Sequence, residues 1–215
     1  MLVMGIDLGT GGVRSIAADE HGKVWGQCAV PFADTATAPR ADGRFVQDPT
    51  EWRRGLTSSM EGALDQLRAR GGDVSAVEAI SVTSTSGTLC LVDDAGEPVC
   101  DAIMYSDGRA GAEAEEANTA GRELVERLGT RISASWALPR LTWLARHQPD
   151  VLARARWAMS PTDLVIGWLS GVWGRSDWTN ALKWPMTSYG SSGQRSSRSS
   201  AWTRACCRPS MHPGP

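Results

Sequence analysis

The sequence predicts an α/β domain with a mixed sheet that opens in a β-meander and carries a helical insertion. Three observations predict it. Short apolar runs parted by glycine turns fill the first thirty residues, one long helix-period run follows, and strand-like runs later give way to a helical stretch over 136–171. The first strand spans residues 2–6 and ends at Asp7. The turn Gly9-Thr10-Gly11-Gly12 leads to a second strand at 13–18, and Glu20-His21-Gly22-Lys23 turns the chain into a third at 24–30. Residues 34–44 are polar and read as a loop. Asp48-Pro49-Thr50-Glu51 then starts a helix, with Asp as N-cap, Pro at the first helical position and an acid in the first turn. Trp52, Leu56, Met60, Leu64 and Leu67 form its buried face, and Gly71-Gly72 ends it.

Residues 77–83 are rich in β-branched side chains and read as a strand, passing into the polar run 83–88. A further strand at 89–92 closes on the turn Asp93-Asp94-Ala95-Gly96, and Ala102-Ile103-Met104-Tyr105 is the last short one. One helix is expected from Glu113 to Leu128. Others open at Leu138-Pro139 and Pro149-Asp150, and Ser160-Pro161-Thr162-Asp163 caps a helix over 164–169.

With 215 residues and a net charge of −2, the chain suffices for one sizeable α/β domain and gives no reason to expect nucleic acid or an anionic membrane as partner. No apolar run is long enough to span a membrane and no signal sequence opens the chain, so a cytoplasmic location is expected. Five scattered cysteines fit free thiols, and the three histidines share no ligand spacing. Ten tryptophans are expected to pack.

The chemistry concentrates in the first turn. Glycines there let another group approach main-chain N–H donors, and such a concave turn can bind a phosphate anion. Asp7 stands where it could hold Mg²⁺ directly or through water, and Arg14 adds a cation on the outgoing strand. An ordinary Gly-rich hairpin is the alternative. A P-loop is excluded, because no Gly-Lys-Ser/Thr follows and the next element is a strand.

A meander whose first strand ends in Asp and whose first turn offers phosphate donors resembles the actin-like ATPase (ribonuclease H-like) fold of sugar kinases. Within that group, Gly5-Ile6-Asp7-x-Gly9-Thr10-x-x-x-Arg14, then Gly43-x-x-Val46-Gln47-Asp48-Pro49-x-x-Trp52, resembles the FGGY carbohydrate kinases. Further matches follow in order. Residues 79–82 through 91–93 are similar to the family's core strand pair, and Ala102-Ile103-Met104-Tyr105-x-Asp107-x-Arg109 to its A-I-x-W-x-D-x-R segment. Thr162-Asp163, Leu169-x-Gly171 and Asp177-x-Thr179-Asn180-Ala181 are similar to the stretch that closes its first domain. The resemblance runs over residues 1–183.

It implies an ATP- and Mg²⁺-dependent kinase of a small sugar. Asp7 would organise the metal, Gly9, Thr10, Gly11 and Gly12 would hold phosphates, and Arg14 would add charge. Thr85, Ser86, Tyr105, Asp107 and Arg109 are the sugar-site candidates. A solvated turn is the alternative for Thr85 and Ser86, and a helix-cap ion pair for Asp107 and Arg109. Ser86-Gly87 replaces the Arg-Glu pair of glycerol kinases, and no His stands where xylulokinases carry Met-His-Gly. Thr85-Ser86-Gly87-Thr88 is more similar to the D-ribulokinase pattern, although Thr83 stands in place of its aspartate, so a five-carbon ketose is expected, D-ribulose before D-xylulose, with tetritols and other polyols as alternatives. The family's catalytic base is expected in a second ATPase domain that has no counterpart here, so no catalytic residue is assigned to this chain. The resemblance allows a homodimer for the full-length parent.

After Lys183 the sequence changes to Ser, Gly, Arg and Gln, and residues 184–215 read as an aberrant or disordered tail. Trp202-Thr203-Arg204-Ala205-Cys206-Cys207-Arg208-Pro209 can be encoded so that the neighbouring frame reads Leu-Asp-Pro-Arg-Leu-Leu-Pro, which resembles the family. A frameshift after Lys183 is therefore expected. The competing expectation is a non-catalytic half-domain that binds sugar or nucleotide weakly or is inactive.

Overall fold

The computed structural model describes residues 1–33, 38–40, 44–176 and 183. The expected tail, the Asp177 to Ala181 motif and most of the loop over 34–44 lie outside the described residues.

The meander forms as expected: β1 (Leu2–Gly9), β2 (Gly12–Asp19) and β3 (Val24–Pro31) pair antiparallel in sequence. Its first strand runs further than residues 2–6. Asp7 does not end it but lies within the ladder opposite Arg14, and the connection is the two-residue turn Thr10-Gly11. Gly12 is fixed by crowding, since a Cβ there would stand 2.5 Å from the Val30 carbonyl oxygen of β3. A fourth strand, β5 (Val77–Ser84), lies parallel to β1 on its other side, so the sheet is mixed with order β3-β2-β1-β5. Residues 79–82 thus pair with β1 rather than with the run at 91–92.

Strand β1 alternates strictly. Leu2, Met4, Ile6 and Leu8 are buried, while Val3, Gly5 and Asp7 face the other, more open side. Helix α1 (Pro49–Ala69) covers the buried side, with Asp48 accepting from the Thr50 amide at 2.8 Å as its cap. Trp52 and Leu56 join Met4, Ile6 and Val13 in the main core. Among the described residues β5 has one strand neighbour, and Ile80 on it is 45% exposed.

Two small ladders complete the β-structure. One pairs β4 (Val46–Gln47) with β7 (Ala102–Ile103), and the other pairs β6 (Cys90–Val92) with β8 (Trp157–Met159). The expected strand at 102–105 is shorter, and β8 interrupts a stretch expected to be helical. The helix expected from Glu113 to Leu128 is two, α2 (Gly111–Ala120) and α3 (Arg122–Leu128), broken at Gly121. Glycine disfavours a helix interior. Helices α4 (Ala137–His147), α5 (Pro149–Arg154) and α6 (Pro161–Ser170) follow. A reciprocal capping box of Ser160 and Asp163 opens α6. Among the described residues no helix is long and apolar enough to cross a membrane.

Candidate functional site

Because β1 and β5 are parallel neighbours in register from Leu8 and Ser84, their carboxyl ends lie side by side. The turn at Thr10-Gly11 leaves one end and the polar loop 85–88 leaves the other. Ligands of α/β sheets bind outside the carboxyl ends of strands. Both groups of sequence candidates therefore sit at one end of the sheet.

Asp7 projects onto the open face of the sheet. Its Oδ2 accepts from Arg14 Nη1 at 3.2 Å, and both side chains are about half exposed or more. Opposite Asp7 on β5 stands Thr83. Asp7, Arg14, Ser81 and Thr83 line a depression of about 640 Å³ floored by the strands. Asp7 thus faces a concavity and not a core. Nothing lies within 4 Å of where a Gly11 Cβ would stand, and a Cβ on Gly9 would approach Arg14 Nη1 at 3.5 Å. The space beside Gly11 is therefore open, while Gly12 is packed against β3.

The turn is held by Gln47, whose role its motif alone does not show. Gln47, almost fully buried, donates from Nε2 to the Thr10 carbonyl at 2.8 Å and accepts from Trp52 Nε1 at 2.9 Å. This accounts for Val46-Gln47-Asp48-Pro49-x-x-Trp52: the tryptophan of α1 orients the glutamine that supports the turn. Next to it, Phe45 N donates to Asp107 Oδ2 at 2.8 Å and Phe45 O accepts from Met104 N at 3.0 Å. Residues 45–47 therefore form a strap between the glycine turn and the loop 104–109.

In the loop 85–88, Thr85 and Thr88 share a hydroxyl hydrogen bond of 2.9 Å, and Thr88 Oγ1 accepts from Tyr105 N at 3.3 Å. Ser86 is exposed, and Tyr105 is 42% exposed. Asp107 is different. It is 1% exposed, and its carboxylate accepts from Arg109 Nε and Nη2 at 2.8 and 2.6 Å and from Arg109 N at 3.0 Å, besides the Phe45 amide. Burial pushes the Asp107 carboxyl up, but these hydrogen bonds and the Arg109 charge outweigh it and hold it below the ordinary carboxylate range. The pair caps no helix: α2 begins after Ala110 with no side-chain cap. Instead it knots its own loop, with the Arg109 guanidinium 5.0 Å from the centre of the Trp143 ring.

Two cations behind this loop had no signal in the sequence. Arg140, on α4, is fully buried and donates to the carbonyls of Gly87, Ile103 and Asp107, the last two at 3.4 Å. Its Nε meets no acceptor. Burial lowers its pKa to about 10, with Asp107 opposing and Arg109 reinforcing the shift. Lys183 Nζ donates to the Ser86 carbonyl at 3.3 Å, and burial with the nearby Arg140 charge lowers its pKa as well. Among the described residues no group of three His, Cys, Asp or Glu could hold a metal ion, so Asp7 is the one carboxylate available at the turn.

Comparison with known proteins identifies the family and the fold. Residues 2–188 match the N-terminal domain of the FGGY family of carbohydrate kinases. A xylulose kinase of Lactococcus lactis is 28% identical over 170 residues, covering 79% of this chain and 33% of that protein. An autoinducer-2 kinase of Salmonella choleraesuis is 31% identical over 176 residues, covering 79% of this chain and 32% of that one. A xylulose kinase from Brucella ovis superposes with a TM-score of 0.70 at 26% identity, over 80% of this chain and 34% of that structure. The chain thus spans about a third of the length of the curated relatives it matches. The mixed sheet and its helices are those of an actin-like ATPase domain, and the chain belongs to the FGGY family of carbohydrate kinases.

Proposed function

We propose that this chain is the phosphate-loop and sugar-binding part of an ATP-dependent kinase of a five-carbon ketose, D-xylulose or D-ribulose. The observation that carries the reading is the parallel pairing of β1 with β5, which delivers the Asp7 turn and the loop 85–88 to the same end of the sheet. Mg·ATP, when bound, supplies the phosphoryl group to be transferred. The residues present fit it. Mg²⁺ is commonly held by one or two carboxylates together with phosphate oxygens, and Asp7 offers one on an open face. Residues 9–12 offer main chain with free space above Gly11, and Arg14 offers positive charge. On the other side, Thr85, Ser86 and Tyr105 give hydroxyls and an aromatic wall, while Asp107 and Arg109 fix the loop that carries Tyr105.

Domain assignment follows the same reading: residues 1–183 form the N-terminal kinase domain and 184–215 an aberrant tail. The chain matches about a third of its relatives' length, and on this proposal the catalytic base and the adenosine pocket lie in the part of them that it does not match, so binding rather than turnover is expected of residues 1–183. Calorimetry on the 215-residue chain tests this. Mg·ADP should bind, Asp7→Ala should remove the Mg²⁺-dependent part of that binding, and D-xylulose or D-ribulose should bind in preference to glycerol. Nucleotide binding indifferent to both Mg²⁺ and Asp7, or preference for glycerol, would sink the proposal.

A further inference from the structure

We infer that Arg140 is a positioning residue for the sugar site, holding the three segments that carry every sugar-contact candidate in one fixed arrangement. The inference rests on reading residues 85–109 as the sugar-binding region. Its carrier is connectivity. One guanidinium on α4 donates to Gly87 in the 85–88 loop, to Ile103 at the end of β7, and to Asp107 in the following loop. Thr85 and Ser86 precede the first carbonyl, Tyr105 lies two residues past the second, and Arg109 two past the third.

Burying a charge without a directly bound carboxylate is costly. Asp107 lies near enough to influence Arg140, but it gives both oxygens to Arg109 and to the Phe45 amide. Both Nη atoms of Arg140 therefore bond main-chain oxygens alone, while Nε meets no acceptor, and the planar fork suits several carbonyls at once. The 85–88 loop is shaped to meet it. Gly87 has φ +89, open to glycine and strained for other residues, and a Cβ there would lie 2.5 Å from the Ser135 carbonyl and 2.9 Å from Lys183 Cδ. With Lys183 on the Ser86 carbonyl and Arg140 on the next, two successive carbonyls are held by cations. The Thr85 and Thr88 hydroxyls bond each other, and the Ser86 side chain is left exposed. A polyol is recognised by several convergent donors and acceptors, so small displacements of these segments cost affinity.

The test compares the full 215-residue chain with its Arg140→Met and Arg140→Lys variants, measuring pentulose affinity, Mg·ADP affinity and amide hydrogen exchange. Arg140→Met should weaken D-xylulose or D-ribulose binding about tenfold or more, while Mg·ADP affinity should fall clearly less, because Gln47 still bonds the glycine turn directly. Arg140→Lys should fall between the two. Exchange should quicken at 85–88 and 103–109 and stay unchanged in β1 and β2, which also shows that the variant is folded. If the parent chain binds no pentulose, the sugar reading fails and the exchange pattern alone decides the positioning role. Unchanged protection at 85–88 and 103–109, or equal loss of pentulose and nucleotide affinity, would overturn the inference.

Discussion

Asp107 directs all of its carboxylate capacity at its own surroundings: Arg109 three times and the Phe45 amide once. Replacing it by Asn removes the negative charge and leaves the Arg109 guanidinium, 9% exposed, without its counterion. Breaking a buried pair from one side costs about 3–5 kcal/mol, so Asp107→Asn should lower the melting temperature by roughly ten degrees. The pH dependence has a definite sign. The folded carboxyl titrates below its unfolded value, so its contribution is fully present above about pH 4 and is lost as pH falls through the folded pKa. The parent's melting temperature should therefore fall more steeply below about pH 4 than that of the Asn variant. Parallel slopes for the two proteins would show that the pair adds nothing to acid sensitivity.

Individual elements differ in how openly the sequence displays them. Helices α1 and α6 were legible because their starts are local: Asp48-Pro49 and Ser160-Pro161-Thr162-Asp163 carry the cap within a few residues. The Ser160 hydroxyl accepts from the Asp163 amide at 3.1 Å, and removing such a cap costs about 1 kcal/mol. Ser160→Ala should lower the unfolding free energy by that amount, read in urea as a lower midpoint at unchanged slope. Strand β8 was not legible, since three residues, Trp157–Met159, lie between two helices and gain their identity only from β6. The parallel partner of β1 lies more than seventy residues on and carries no local mark of that pairing. The site divides in the same way. Asp7, the glycine turn and Arg14 form one short motif and could be read directly. Gln47 and Arg140 act through contacts that exist only after β4, β7 and α4 have docked.

At the scale of the whole molecule, the open face of the sheet and the β5 edge with exposed Ile80 belong to a domain that covers a third of its relatives' length. Phosphoryl transfer depends on positioning and charge neutralisation in a closed site. The 215-residue chain should therefore release no ADP above background with any pentulose. A version continued in the neighbouring reading frame after Lys183 should turn over D-xylulose or D-ribulose, and Asp7→Ala should abolish that turnover. Brisk ADP release by the 215-residue chain would overturn this account. Removing residues 186–215 should leave the melting temperature unchanged, as an aberrant tail would add no packed core; a drop of several degrees would show that it docks. The strap at residues 45–47 carries one more consequence. It hydrogen-bonds the glycine turn through Gln47 and the tyrosine loop through Phe45, so on the proposed function each ligand would meet a surface the other's contacts help to hold. Thermodynamic linkage then fixes a reciprocity: whatever factor a saturating pentulose gives to nucleotide affinity, saturating nucleotide must return to the pentulose, with Gln47→Ala driving both factors toward one.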